Sequence, residues 1–94
     1  MIRHIVMWKF REGTEAQAEA FLTGLAALEG KIDCIRAMTV RKSAVEGSAY
    51  DAVLIADFDS LADVEKYKND PRHRKVAAIC AAIRTERCAI DVEA

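Results

Sequence analysis

The segment Arg3-His4-Ile5-Val6-Met7-Trp8-Lys9-Phe10 decides the fold, because its side chains alternate with the two-residue period of a β-strand. The even-numbered residues from His4 to Phe10 would share one face of that strand. The odd-numbered residues from Ile5 to Lys9 would share the other. Both faces are largely apolar, which predicts a central strand that is covered on both sides.

The residues after this strand predict a helix. Thr14 is suited to cap a helix over residues 14–29, and Gln17 would complete a capping box with it. Apolar residues recur at helical spacing, and Gly30 stands where a glycine commonly ends a helix.

The rest of the chain predicts two strands, a broken helix and a final strand. Ser60 is suited to cap the second helix, and Asn69-Asp70-Pro71 would stop it, because a residue before proline avoids helical angles. Pro71 can open a third helix. The strands are predicted at residues 34–42, 50–58 and 85–92, with a hairpin loop at 43–49.

This order predicts one α+β domain over residues 1–94, of the ferredoxin-like βαββαβ type. The helices would cover one face of a four-stranded antiparallel sheet. The opposite face would carry either the His4 set or Ile5 and Met7, and in both cases it would be apolar. A second copy packed against it would solve the exposure problem, so we expect a homodimer whose sheets form an α/β barrel.

Composition limits the functions open to the chain. Its 94 residues carry a net charge of −1, which provides no field to attract nucleic acid or anionic lipid. No segment approaches the roughly 20 apolar residues of a membrane span, and the first residues resemble a strand more than a signal peptide. The three cysteines match no zinc spacing, so we expect reduced thiols, a cytoplasmic location, no metal and no cofactor. Phosphate-binding glycine loops and common hydrolase motifs are absent.

Candidate catalytic residues are His4, Tyr67 and His73. Histidine suits proton transfer near neutral pH, and a helix N-terminus favours its neutral form at position 73. The structural alternative is a hydrogen-bonded histidine at a strand end and a surface histidine after a helix break. If the three residues converge on one cavity, the expected lining is apolar. We expect that lining to include Ile5, Trp8, Phe21, Leu25, Val53 and Val76.

Two motifs resemble one known family. Residues 3–10, with a histidine, an apolar run and Lys-Phe, are similar to the opening of the stress-responsive dimeric α/β-barrel family, often called Dabb. Residues 67–73 resemble the Tyr-x-x-His-Pro-x-His segment of that family, although Asp70 replaces its first histidine. The resemblance implies the ferredoxin-like fold and a homodimeric barrel. The Asp70 departure puts the substrate in question.

The resemblance extends to olivetolic acid cyclase-like proteins, whose plant enzyme closes a linear polyketide by an aldol condensation. Its strand histidine, tyrosine and helix histidine look like His4, Tyr67 and His73. The resemblance therefore implies general acid/base chemistry on a small carbonyl-bearing or aromatic, polyketide-like molecule, without a cofactor. Two alternatives stay open, a non-catalytic stress-protection or ligand-binding module and a monooxygenase-like dimeric barrel. Whether the chain is an enzyme is not decided by these residues, because fold does not fix function.

Overall fold

The chain forms four strands, β1 (Ile2–Phe10), β2 (Ala37–Lys42), β3 (Ala52–Phe58) and β4 (Arg84–Glu93), and three helices, α1 (Glu15–Ala26), α2 (Leu61–Asn69) and α3 (Pro71–Ile83). The computed structural model describes residues 1–94. The strands make one antiparallel sheet in the order β2-β3-β1-β4. This is the predicted ferredoxin-like fold, with β1 central.

The two faces of the sheet differ in what covers them. His4, Val6 and Trp8 on β1 are 2–5% exposed and face the helices. Ile5 faces the other way, directly between Ile55 of β3 and Ile90 of β4. The face left open is therefore the one that carries the odd-numbered residues of β1. No helix of this chain covers it, and Ile90 remains 58% exposed.

The hydrophobic core lies between the covered face and the helices. Phe21 and Leu25 of α1 and Val64 of α2 are each at most 2% exposed. The indole of Trp8 meets the ring of Phe21 edge to face, with centroids 5.0 Å apart. Each such side chain contributes roughly 1.5–3 kcal/mol through burial. None of the buried residues belongs to β4, which is an edge strand.

Two predicted boundaries were wrong. α1 ends at Ala26 and β2 begins at Ala37, so residues 27–36 form turns in place of the predicted helix end and strand start. Gly30 has φ +83°, a left-handed conformation that glycine adopts without strain. Apolar side chains from this turn segment are buried in the core all the same: Leu28, Ile32 and Ile35. Leu28 extended the apparent helical period and Ile35 the apparent strand alternation, although neither lies in a helix or a strand.

Of the two predicted helix caps, the one at Ser60 forms and the one at Thr14 does not, while Asp70 caps α3. The hydroxyl of Ser60 accepts from the Asp63 amide at 3.2 Å, and Asp70 accepts from the Arg72 amide at 2.8 Å. The Thr14 hydroxyl instead donates to the Arg11 carbonyl at 2.6 Å, so the predicted capping box does not form. None of the three helices has the length and apolar composition needed to cross a membrane.

Candidate functional site

A cavity of about 360 Å³ opens between the β1–β4 half of the sheet and the helices above it. The apolar floor comes from β1, β3 and α1. Polar groups enter from β1, from the α2–α3 junction and from β4. The lining residues are His4, Val6, Trp8, Phe21, Leu25, Leu54, Tyr67, Lys68, His73, Ala77, Cys80, Ala81, Arg84 and Arg87. Its size is at the small end of the roughly 300–1,000 Å³ that is usual for ligand sites.

His4 is held by a carboxylate on the neighbouring strand. The antiparallel register places Asp91 of β4 directly opposite His4, and His4 Nδ1 lies 2.6 Å from Asp91 Oδ1. Because a carboxylate accepts, Nδ1 carries the proton, which leaves Nε2 as the free base of the neutral ring. Burial lowers the pKa of His4 below its usual value, and Asp91 opposes that shift only in part. His4 is therefore neutral at physiological pH, in the tautomer that can accept a proton.

The break between α2 and α3 determines where His73 lies. Asp70 and Pro71 start α3, which places His73 in its first turn, with Nδ1 3.1 Å from the Lys68 carbonyl oxygen. A carbonyl only accepts, so Nδ1 again carries the proton and Nε2 is free. Burial lowers the pKa of His73, and the hydrogen bond to the Lys68 carbonyl oxygen opposes that shift only in part. The second histidine of the cavity is thus also a neutral base.

Tyr67 lies beside both histidines. Its ring centroid is 6.2 Å from that of His4 and 4.4 Å from that of His73, and the residue is 0% exposed. Its hydroxyl is buried and has no hydrogen-bond partner. Burial raises the pKa of Tyr67 well above its usual range, so the hydroxyl keeps its proton and is a donor. An unpartnered buried hydroxyl costs roughly 1–3 kcal/mol, a penalty that few native polar groups carry.

The structure brings together six of the nine residues expected at the site. His4, Tyr67 and His73 line the cavity with Trp8, Phe21 and Leu25. The other three expected lining residues lie elsewhere. Ile5 and Val53 are on the open face of the sheet, because β1 and β3 alternate in register. Val76 packs against Gly24 of α1, where an added Cβ would lie 3.3 Å from its Cγ2.

Four polar residues of the site were not predicted: Lys68, Arg84, Arg87 and Asp91. Alternation along β4 places Arg87 and Asp91 on one face of the strand. The strand register could not be predicted from the sequence, and it is this register that sets Asp91 opposite His4 and Arg87 opposite Trp8. Asp70, the residue that departs from the family motif, does not line the cavity, because its carboxylate caps α3 and pairs with Arg72 at 2.8 Å.

Side chains that bind metals do not cluster in this chain. No group of three or more histidine, cysteine, aspartate or glutamate residues is placed to hold an ion. The three cysteines are free thiols. Among them only Cys80 lines the cavity, and burial raises the pKa of its thiol, so it is a poor nucleophile.

Comparison with solved structures gives the same architecture in proteins of several organisms. A dimeric ferredoxin-like protein of unknown function from Bacteroides fragilis is 28% identical, with a TM-score of 0.91 over 99% of this chain and 95% of that one. A dimeric ferredoxin-like protein of unknown function from Thermobifida fusca is 26% identical, with a TM-score of 0.87 over 99% and 90%. A hydroxynitrile lyase from Passiflora edulis shares the fold at 12% identity, with a TM-score of 0.83 over 97% and 90%.

Comparison of sequences assigns the family. No curated protein matches the chain. The profile of the family described as the stress responsive A/B barrel domain matches residues 2–94, which include both motifs noted above. The chain therefore belongs to the stress-responsive α/β-barrel family, Dabb.

Proposed function

We propose that the cavity binds a small carbonyl-bearing or aromatic molecule and moves a proton on it. The observation that carries this proposal is the buried Tyr67 hydroxyl, which has no partner and stands beside two neutral histidines. A native protein keeps such an unpaired donor when something else uses it, and a ligand oxygen in the cavity is the natural acceptor.

The chemistry that fits these groups is proton removal next to a carbonyl. Nε2 of His4 or of His73 would take a proton from the carbon beside the carbonyl. The Tyr67 hydroxyl would donate to the oxygen on which negative charge develops. Asp91 would hold the His4 ring and stabilise its charged form. The same step begins an aldol condensation, so a polyketide-like substrate and a relation to olivetolic acid cyclase-like proteins are part of this proposal.

A simple exchange experiment tests the proposal. 2-Tetralone, a bicyclic ketone smaller than the cavity, exchanges its acidic protons for deuterium slowly in neutral D₂O, and ¹H NMR follows the loss of signal. The protein should accelerate this exchange above the buffer rate. His73→Ala removes one candidate base, and Asp91→Asn removes the carboxylate that holds the other. Each substitution should reduce the acceleration by about 10²-fold if the base that it affects is the one that takes the proton. Glu93→Gln removes a carboxylate from the same strand outside the cavity, and its exchange rate should stay unchanged.

The outcomes separate an enzyme from a binding module. Binding of the ketone without faster exchange would contradict proton transfer and favour the non-catalytic ligand-binding alternative. Binding is detected as shifts in the amide signals of cavity residues in ¹H–¹⁵N spectra. Faster exchange that both variants retain in full would place the base outside the cavity.

We also propose that the chain forms a homodimer through the open face of its sheet. This face presents a row of isoleucines from three adjacent strands, Ile5, Ile55 and Ile90. An exposed apolar face of this kind is typical of an interaction surface. The two relatives at 26–28% identity are described as dimeric, and their agreement in fold covers nearly all of this chain.

Two substitutions with equal starting exposure test the dimer. Ile90 on the open face and Leu61 at the start of α2 are each 58% exposed, so glutamate at either position leaves the core intact. Sedimentation at micromolar concentration should give about twice the chain mass of 10.4 kDa for the parent protein and for Leu61→Glu. Ile90→Glu should shift the protein toward the monomer. A folded parent monomer, or a dimer insensitive to Ile90→Glu, would contradict this interface.

A cytoplasmic location is a further part of the proposal. It is supported by the three free cysteines, of which Cys34 and Cys88 are partly exposed. Such thiols persist where glutathione and thioredoxin keep them reduced. Fractionation of cells that express the tagged full chain tests this location.

A further inference from the structure

The arginines that line the cavity differ from every other arginine in the chain. Arg84 and Arg87 make no ion pair and donate no side-chain hydrogen bond. Each remaining arginine donates at least one side-chain hydrogen bond; these are Arg3, Arg11, Arg36, Arg41, Arg72 and Arg74. The guanidinium groups without a partner are thus found at the cavity and nowhere else.

No acidic side chain lines the cavity to balance these charges. Its lining includes three basic residues, Lys68, Arg84 and Arg87, and no aspartate or glutamate. Outside the lining, Glu65 pairs with Lys68 at 3.7 Å and Asp91 is occupied by His4, so Arg84 and Arg87 are the two basic residues of the lining left without an acidic partner. The net charge of the whole chain is −1, so the positive charge here is a local feature. A concave site with low-dielectric walls focuses such a field and raises the local concentration of anions.

The charge of Arg87 acts on the whole cavity. Arg87 lines the cavity together with His4, Tyr67, His73 and Cys80, and its positive charge opposes the larger effect of burial on the pKa of Tyr67 and of Cys80. These groups come from β1, α2 and α3, so Arg87 borders the space that they share. An anion bound to Arg87 would therefore lie within reach of the two histidines and the tyrosine.

We propose that the ligand of this cavity is a small carboxylic acid, whose carboxylate is bound by Arg87 and Arg84 and whose apolar part packs against Trp8, Phe21 and Leu25. The planar guanidinium matches a carboxylate with two parallel hydrogen bonds. This inference rests on the proposed ligand-binding function of the cavity and adds the charge of its ligand.

Two probes of nearly the same shape, one anionic and one neutral, test the carboxylate assignment. 2-Naphthoate and 2-naphthamide have nearly the same shape, and only the first carries a carboxylate. Calorimetric titration of the full chain should show naphthoate binding about tenfold more tightly than naphthamide, as one charge-assisted contact gives. Arg87→Gln should remove this preference by lowering the affinity for naphthoate to about that for naphthamide. Lys75→Gln, which removes a positive charge from the exposed side of α3 outside the cavity, should keep the preference.

Each outcome decides one of the two proposals. Equal affinity for acid and amide, or a preference that survives both Arg87→Gln and Arg84→Gln, overturns the carboxylate assignment and leaves the cavity as a site for neutral ligands. Failure of both probes to bind, with no shift in the amide signals of cavity residues, overturns the ligand site itself. Both arginines are exposed on an edge strand outside the core, so the variants should fold, and circular dichroism checks this.

Discussion

Tyr67→Phe should make the protein more stable while impairing its site. The substitution removes one hydroxyl that is buried and has no partner. The ring keeps its contacts with Phe58, His4 and His73, at centroid distances of 5.2, 6.2 and 4.4 Å. Removing an unsatisfied hydroxyl recovers part of a penalty of roughly 1–3 kcal/mol, and the small void left behind offsets some of that gain. We therefore expect a net stabilisation of about 1–2 kcal/mol.

Thermal unfolding followed by circular dichroism measures the effect. In a domain of this length 1 kcal/mol corresponds to about 4–8 °C, so the midpoint should rise by several degrees at a fixed protein concentration. Tyr50→Phe is the matched control, because Tyr50 is partly exposed and the change should stay within about 0.5 kcal/mol. A Tyr67→Phe variant that is 1 kcal/mol or more less stable would refute the reasoning, since it would mean that the hydroxyl has a partner in solution.

Tyr67→Phe should also accelerate proton exchange less than the parent protein does. Without the hydroxyl, the developing oxygen charge of a bound ketone loses one donor, so the acceleration of 2-tetralone exchange should fall about tenfold or more. A gain in stability combined with a loss of activity is the usual sign of a group kept for its function. A variant with parent stability and parent activity would remove Tyr67 from the site.

Three further predictions concern stability. Burial lowers the pKa of His4 and of His73 below the unfolded value of 6.5, so the unfolded chain binds more protons and stability should fall as pH drops below about 6.5. Thermal melts between pH 8 and 5 measure this dependence, and the free energy of unfolding should change by at most about 1.4 kcal/mol per pH unit for each histidine. His73→Gln should make the dependence on pH weaker. A parent protein whose stability does not change with pH would contradict two buried neutral imidazoles. Asp70→Ala should cost about 1 kcal/mol in denaturant unfolding, because it removes the cap of α3; an unchanged midpoint would mean that the cap adds nothing. Trp8→Glu should leave the chain unfolded by circular dichroism, since Trp8 is 5% exposed and faces the core; a folded but monomeric variant would place Trp8 at the dimer interface.

The fold was predictable because its signals are local. The two-residue period of residues 3–10 and the break at Pro71 depend on neighbouring residues alone, and both predictions are confirmed. The segment 27–36 was misassigned because Leu28, Ile32 and Ile35 are buried through turns, where an apolar residue gives no period that identifies its backbone. Burial without regular secondary structure is invisible to pattern analysis.

The site was predictable only in its outline. Which polar residues stand near β1 and the helix break could be inferred from the chain, but Asp91 reaches His4 across a pairing of residues 87 positions apart. That register depends on the whole sheet, and a shift by one residue would turn Asp91 to the open face. The pairing of β1 with β3 likewise places Ile5 and Val53 on the open face, outside the cavity. Val76 was misplaced for another reason, since its direction is set by the close approach of α1 at Gly24.

The edge strand β4 lines the cavity but adds nothing to the buried core. It contributes Arg84, Arg87 and the partner of His4 to the cavity region, and it contributes no residue to the buried core. Under the proposed ligand-binding function, substitutions at these positions would therefore alter ligand preference at little cost in folding free energy. Descendants of one ancestral chain could diversify through this single strand while the remainder of the sequence stays under selection for packing. Members of such a lineage would share a scaffold and differ in what they bind.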